Sequence, residues 1–99
     1  MKTMYELLNL IRERRALFGI YTAGDLYQFI NGYDAAVGVN QINDPTVTHF
    51  KEFANWLRHK EPNLSTFSWI NIIEIYSTPI SSFDRFFNTF DQFLEEKPL

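Results

Sequence analysis

Hydrophobic residues recur at intervals of three and four positions along this chain, which is the spacing of the buried face of an α-helix. Three such stripes occupy the first part of the sequence: Met4, Leu7, Leu8 and Ile11; Leu26, Phe29, Ile30, Tyr33 and Val37; Phe50, Phe53, Ala54 and Leu57. Each follows a residue that can cap a helix: Thr3, then Thr22 or Asp25, then Asp44 before Pro45. The pattern predicts three helices, the second ending near residues 38–40 and the third near Pro62.

The fourth segment, residues 65–76, is apolar on nearly every side. Its large side chains are Phe67, Trp69, Ile70, Ile72, Ile73, Ile75 and Tyr76. Such a run suits a wholly buried central helix, but its aromatic and β-branched content also suits a buried strand. A single strand without a partner would leave its backbone groups unpaired, which favours the helix.

The last segment carries the most regular stripe of the chain, formed by Phe83, Phe86, Phe87, Phe90, Phe93 and Leu94. Ser81 precedes it, and Asp84 follows three residues later, which predicts a start close to a capping box. An aromatic face of this extent needs a partner surface, which the other helices can supply. We therefore predict an all-α fold, a single-domain bundle of about five main helices over residues 1–99.

The amino-acid composition excludes several classes of function for this chain. The chain contains no cysteine, which excludes disulfides, thiolate metal sites and cysteine nucleophiles. Near its start, Glu6, Asn9 and Arg12 interrupt the apolar run that a signal peptide would need. No apolar run approaches the ~20 residues that cross a bilayer. We expect a soluble, cytoplasmic protein that does not associate with membranes.

Candidate catalytic residues are few. His49 and His59 are ten positions apart on the predicted third helix, about 80° apart around its axis, so they cannot bind one metal ion by themselves. The serines lie in capping or turn contexts, and the isolated glycines form no phosphate-binding loop. We expect no enzymatic activity, cofactor or metal. The alternative of a small enzyme requires the fold to bring one histidine beside an acid such as Glu74 or Asp91.

Charge is distributed unevenly along the chain, whose net charge is −3. Residues 16–50 contain no lysine or arginine, and their acidic residues are Asp25, Asp34 and Asp44. An acidic surface repels nucleic acid and attracts a basic partner. The one basic cluster, residues 12–15, is interrupted by Glu13 and suits the C-terminus of a helix, where an arginine could also pair with Asp25 or Asp34. We therefore expect no binding to nucleic acid.

The outward face of the second helix is the candidate binding surface. A helical wheel places Gln28 and Asn31 outward, Tyr27 and Asp34 at one margin, and Asp25 toward the other. An exposed aromatic residue beside amide and carboxylate groups is typical of protein interfaces. We predict contacts through Tyr27, Asn31 and Asp34, with Gln28 beside them and with longer-range attraction from Asp25 and Asp44. An ordinary solvated face is the alternative.

Several segments resemble a family of small bacterial proteins. The matching segments are Tyr5-Glu6-Leu7-Leu8-x-x-Ile11-x-x-Arg14-x-Ala16-Leu17-Phe18-Gly19, Leu26-x-x-Phe29-Ile30-x-Gly32-Tyr33-x-x-Ala36, Trp69-x-x-Ile72-Ile73 and Phe83-x-x-Phe86-Phe87-x-x-Phe90-Asp91-x-Phe93. Together they resemble immunity proteins of contact-dependent growth inhibition and related polymorphic toxin systems. Arg15 stands where the family pattern has proline and Phe18 where it has tyrosine, so the turn after the first helix is expected to differ.

The resemblance implies a role but transfers no contact residue, because immunity families diversify at the surface that faces the toxin. The implied partner is a cognate toxin C-terminal domain. If that domain is a nuclease, it must be basic around its active site because it binds phosphates. An acidic immunity protein can then occlude the cleft and associate quickly through electrostatic steering. The alternative is a non-enzymatic adaptor or regulatory domain with the same acidic surface.

Overall fold

Capping residues that can be recognised in the sequence mark where the first three helices begin. A computed structural model of the chain describes residues 2–78 and 81–99. In that part there is no strand, and the elements are α1 (Met4–Phe18), α2 (Ala23–Val39), α3 (Pro45–Lys60), a 3-10 turn (Pro62–Leu64), α4 (Trp69–Ile75) and α5 (Ser82–Glu96). The predicted all-α, single-domain fold with five main helices is confirmed.

The first three helices begin as predicted. At α1 the Thr3 hydroxyl accepts a hydrogen bond from the Glu6 N–H, and the Glu6 carboxylate accepts one from the Thr3 N–H. At α2 the cap is Thr22, while Asp25 occupies the third helical position and closes the same kind of capping box. At α3 the cap is Asp44. Of the two sequence candidates for the second cap, Thr22 is therefore the one used.

The fourth segment is a helix, so the strand alternative is wrong, but it is shorter and less buried than predicted. Residues 65–68 precede α4 as a turn and an extended residue. Phe67, Ile75 and Tyr76 are 38%, 48% and 54% exposed, although the apolar run predicts a wholly buried element. Phe67 and Tyr76 lie outside this seven-residue helix and Ile75 is its last residue, so the packing of α4 against α2, α3 and α5 leaves them exposed.

α5 starts where the sequence predicts, because Ser81 is the residue directly before the helix. The side chain of Ser81, however, forms no capping hydrogen bond with Asp84. Instead Thr78 and Ser81 bond reciprocally: the Thr78 hydroxyl accepts from the Ser81 N–H at 3.2 Å, and the Ser81 hydroxyl accepts from the Thr78 N–H at 2.9 Å. The Ser81 hydroxyl is therefore engaged with Thr78, and the predicted capping box between Ser81 and Asp84 is absent.

The core is an aromatic cluster between α3 and α5. Phe53 is fully buried, and its ring lies 5.5–6.1 Å from the rings of Trp56, Trp69, Phe86, Phe90 and Phe93. Rings at these separations add about 0.5–1.5 kcal/mol per pair beyond the burial of their area. All five phenylalanines of the α5 stripe are buried, and Leu94 is half-buried. The prediction that the stripe is core is confirmed.

The second half of α1 leaves the core. Residues 12–19 are exposed, Arg14 departs from helical geometry, and Gly19 ends the helix in the left-handed region at φ 66°. Arg12 forms two hydrogen bonds to the Asp91 carboxylate, of 2.8 and 3.0 Å, and its guanidinium lies over Phe87. The suggested pairing of these arginines with Asp25 or Asp34 is therefore wrong for Arg12, because α5 supplies its carboxylate.

The fold leaves a gap between α2 and α3, which are consecutive helices in the sequence. Among the described residues, α2 packs mainly on α4 and α5, and α3 packs mainly on α1, α4 and α5. Although α2 and α3 follow each other in the chain, they do not pack along their lengths. A groove therefore opens between them. None of the described helices is long and apolar enough to cross a membrane.

Candidate functional site

The groove between α2 and α3 is the candidate site. It has a volume of about 210 Å³. Its apolar wall and floor come from four helices, through Met4, Ile30, Val47, Phe50, Ala54 and Trp69. Asn31 and Asp34 line it from α2, and Lys51 lines it from α3. The site therefore combines an apolar floor with polar groups of both charge signs on its rim.

The groove continues toward the connection between α2 and α3. A second depression of about 240 Å³ shares Asp34, Val47 and Lys51 with the first. It extends past Gly38 and Gln41 at the end of α2. Asp34, Val47 and Lys51 therefore border both depressions.

Three of the predicted surface residues are placed as the helical wheel indicates. Asn31 and Asp34 are exposed and lie one turn apart on the α2 rim of the groove. Gln28 is also exposed, on the preceding turn, but it does not line the groove. The structure therefore brings Asn31 and Asp34 together and leaves Gln28 beside them.

Tyr27 is placed differently from the prediction of an exposed anchor. Its ring centroid lies 5.5 Å from that of Trp69 on α4, and the side chain is half-buried against the core. The helical wheel places Tyr27 at the margin of the apolar face, and α4 covers that margin. Tyr27 therefore contacts Trp69, which lines the groove, without lining the groove itself.

The Asp25 carboxylate is hydrogen-bonded to the backbone at the start of α2. One of its carboxylate oxygens accepts hydrogen bonds from the Tyr21 N–H at 2.9 Å and the Thr22 N–H at 3.2 Å. The side chain is half-buried. Its negative charge also lies near the positive end of the α2 dipole, which is a favourable position. Asp25 can contribute a field at a distance, but its oxygens are already used within the chain.

Asp44 is the most highly bonded carboxylate near the groove, and it is only 6% exposed. One oxygen accepts from the Met4 N–H at 2.9 Å and the Tyr33 hydroxyl at 2.7 Å. The other accepts from the Thr46 N–H at 2.9 Å and the Thr46 hydroxyl at 2.7 Å. The predicted long-range role does not require contact, and both oxygens of this side chain are already bonded within the chain.

These bonds change the pKa values of both partners. Burial alone would raise the pKa of Asp44, but the hydrogen bonds from Thr46, Tyr33 and the Met4 N–H outweigh it and hold the pKa below its usual value. Burial, followed by the bond to the Asp44 carboxylate, raises the pKa of Tyr33 to about 12. At neutral pH Asp44 is therefore ionised and Tyr33 is protonated. This is the pair of states that the short hydrogen bond between them requires.

Lys51 was missed by sequence reasoning. It is the residue that ends the stretch without bases, and the fold places it across the groove from Asp34. The negative charge of this stretch is therefore partly compensated in the folded protein, although the stretch itself contains no base. A helix-spacing argument could not locate Lys51 here, because the groove is formed by helices that meet only through the tertiary fold.

The two histidines have structural partners. His49 is buried, and its Nδ1 lies 2.7 Å from the Tyr5 hydroxyl while its Nε2 lies 2.8 Å from the Lys97 carbonyl oxygen. Nε2 also lies 3.8 Å from the carboxylate of Glu52, farther away than the carbonyl. Both bonds are satisfied by a neutral imidazole that donates from Nε2 and accepts at Nδ1.

The acids named for the enzyme alternative lie elsewhere. Asp91 is bonded to Arg12, and the carboxylate of Glu74 lies near Gly24 at the start of α2. His59 is exposed and contacts the Asn55 carbonyl oxygen one turn earlier on α3. Within residues 2–78 and 81–99, no group of three or more His, Asp or Glu residues is placed to hold a metal ion.

Comparison with known proteins returns no relative of this chain. No protein family, curated protein or solved structure matches it. The resemblance to immunity proteins therefore rests on the segments quoted from the sequence. The function has to be argued from the groove and its charges.

Proposed function

We propose that this chain is a protein-binding domain without enzymatic activity that acts as a bacterial immunity protein. In this proposal it neutralises a cognate toxin domain, a nuclease, by occluding the basic cleft around the toxin's active site. The observation that supports this most directly is the α2 rim of the groove, where exposed Asn31 and Asp34 stand above an apolar floor. Strong protein interfaces combine a desolvated apolar centre with polar groups at its edge.

The size of the groove suits one anchoring side chain of a partner. A buried cavity of about 150 Å³ holds a benzene molecule. The groove, at about 210 Å³, can therefore take an aromatic ring or a long aliphatic side chain. Trp69 and Phe50 would cover such a side chain from below, and Asn31 could hydrogen-bond the backbone beside it. A few well-packed anchors of this kind carry most of the energy of an interface.

Charge supports a basic partner. The chain carries a net charge of −3, and Asp34 presents its carboxylate at the groove. Asp25 and Asp44 are bonded within the chain, yet their charges still add to the field within about one Debye length of 10 Å. A nuclease cleft is positively charged because it binds phosphates, so attraction would speed the encounter. This is the longer-range role predicted for Asp25 and Asp44.

Lys51 favours the adaptor as a second candidate function. Because it faces Asp34 across the groove, the rim is not uniformly acidic. A peptide or domain with both charge signs would match such a rim as well as a basic cleft does. The adaptor would use the same groove, but its gene would not lie beside a toxin gene.

Calorimetric titration against the toxin domain encoded immediately upstream tests the proposal. We expect tight binding that weakens as salt rises. Asp34→Lys should weaken it at least about tenfold and flatten its salt dependence, since a close interfacial charge pair is worth more than about 1.4 kcal/mol. Glu95→Lys on α5 is the matched control, because it changes the net charge equally at an exposed position away from the groove.

Each outcome of this titration is informative. Binding that Asp34→Lys weakens more than Glu95→Lys supports the groove as the interface. Equal effects of the two variants would overturn the groove as the interface while leaving the immunity role intact. Absence of binding, or the absence of a toxin gene upstream, would reject the immunity role and favour the adaptor.

A further inference from the structure

Two opposite charges line the groove between α2 and α3 without pairing. Asp34 lines it from α2 and Lys51 from α3, and both residues are exposed. Among the residues that the structure describes, the Asp34 carboxylate and the Lys51 ammonium group take part in no ion pair or hydrogen bond. The same holds for the side-chain amide of Asn31, one turn before Asp34. The rim therefore offers an anionic, a cationic and a neutral hydrogen-bonding group to a ligand.

The floor beneath these groups suits an aromatic ring. Two of its side chains, Phe50 and Trp69, are themselves aromatic, with ring centroids 5.6 Å apart and planes at 86°. Aromatic rings gain from such contacts beyond the burial of their area. A cavity of about 150 Å³ holds benzene, so the groove, at about 210 Å³, takes one ring and leaves about 60 Å³. That remainder is about the volume of two water molecules, which is enough for the two carbons that follow the ring in phenylalanine.

We propose that the groove binds a free aromatic amino acid. A free amino acid carries its ammonium and its carboxylate group on one carbon. With the ring on the floor, the ammonium group meets Asp34 on one rim and the carboxylate meets Lys51 on the other, while the Asn31 amide can donate to the carboxylate. An internal residue of a polypeptide has neither charge on its backbone, so a free amino acid complements the two rims better than an anchoring side chain does.

Titration of the isotope-labelled chain with free L-phenylalanine, followed by nuclear magnetic resonance, tests this binding. We expect saturating shifts of the Asn31 and Lys51 amides and of the Trp69 indole N–H. The dissociation constant should be about 1 mM or lower, from the typical binding energy per atom of small ligands. L-alanine, which has both charges but no ring, should bind much more weakly. The inference does not depend on the proposed function, because this titration needs no toxin and the calorimetric titration needs no amino acid.

Ligands and variants that lack one charge assign each contact. Phenethylamine lacks the carboxylate and phenylpropionate lacks the ammonium group, so each should bind about fivefold more weakly than phenylalanine, which is the upper range for an exposed ion pair. Asp34→Asn should weaken phenylalanine and phenethylamine about fivefold without weakening phenylpropionate. Lys51→Met should weaken phenylalanine and phenylpropionate without weakening phenethylamine. Both substitutions are at exposed positions, so the variants should remain folded.

Glu95→Gln is the matched control for Asp34→Asn. It removes one negative charge at an exposed position outside the groove, so it should leave the affinity for phenylalanine unchanged. The proposal is overturned if phenylalanine causes no saturating shift at the groove. It is also overturned if N-acetyl-phenylalaninamide, which keeps the ring and lacks both charges, binds as tightly as phenylalanine. Equal losses in Asp34→Asn and Glu95→Gln would overturn it as well.

Discussion

The hydroxyl of Tyr33 on α2 lies 2.7 Å from the carboxylate oxygen of Asp44 that also accepts the Met4 N–H of α1. Asp44 itself caps α3. One buried carboxylate therefore connects the starts of α1 and α3 with the middle of α2. Because α2 and α3 do not pack along their lengths, this connection fixes their separation and hence the width of the groove.

Replacing Asp44 should destabilise the fold. Asp44→Ala removes the cap of α3 and leaves buried donors on Met4 and Thr46 without an acceptor, so we expect a loss of about 3 kcal/mol in the free energy of unfolding. Urea denaturation measures it. Asp34→Ala, at an exposed aspartate, should change stability by less than about 0.5 kcal/mol. Equal losses in the two variants would contradict the structural role of Asp44.

The same carboxylate should make stability sensitive to acid. The folded pKa of Asp44 lies below its unfolded value near 3.9, so its contribution is present above that value and is lost as pH falls through the folded pKa. Unfolding free energies measured from neutral pH downward should therefore converge for the unmodified chain and Asp44→Asn. Glu6, bonded to Thr3, and Glu96, bonded to Lys60, also have lowered pKa values, but they act equally in both proteins. A gap that stays constant below about pH 4 would contradict this.

Tyr33 should make the stability of the fold decrease as pH rises in the alkaline range. Its folded pKa is raised to about 12, chiefly by burial and then by the bond to Asp44, against an unfolded value near 10. The folded state therefore keeps its proton longer, and the contribution of Tyr33 is full below about pH 10 and is lost as pH rises through the folded pKa.

Tyr33→Phe checks this by denaturation at a series of alkaline pH values. The stability gap between the unmodified chain and the variant should be largest near neutral pH and should narrow above about pH 10. Tyr5, whose pKa burial also raises, is present in both proteins and cancels from the comparison. A gap that widens as pH rises would show that the Tyr33 hydroxyl is not bonded to a carboxylate.

The bidentate pair between Arg12 and Asp91 should contribute little to stability despite its short distances. Its side chains are 40% and 48% exposed, so solvent screens the attraction. A double-mutant cycle with Arg12→Ala and Asp91→Ala should give a coupling energy of about 0.5 kcal/mol, smaller at high salt. A coupling above about 2 kcal/mol, or one that salt leaves unchanged, would refute this view of the pair.

The sequence predicts the helices well because their signals are local. Thr3, Asp44 and Pro45 act within one turn of the residues that they cap, and the α5 phenylalanines lie on one face whatever they pack against. The errors come from tertiary contacts. Tyr27 is covered by α4, which no property of α2 reveals. The Ser81 hydroxyl bonds Thr78 instead of capping α5 with Asp84, and the local spacing of Ser81 and Asp84 does not reveal that competing partner.

Only part of the candidate site can be predicted from the sequence. Asn31 and Asp34 can be found from their outward positions on a helix. The apolar floor combines Met4, Val47 and Trp69, which are far apart in the chain, and Lys51 joins the rim from another helix. Periodicity assigns such apolar residues to the core without indicating that a gap between α2 and α3 exposes them to a groove.

The central proposal is that the chain inhibits a nuclease by covering its active site. An assay of that nuclease's cleavage activity tests it most directly. The chain is titrated into the nucleic-acid cleavage reaction of the toxin domain encoded immediately upstream. We predict a linear loss of cleavage that reaches zero at one equivalent, with Asp34→Lys inhibiting less than Glu95→Lys. Full cleavage activity in the presence of excess chain would contradict the claim.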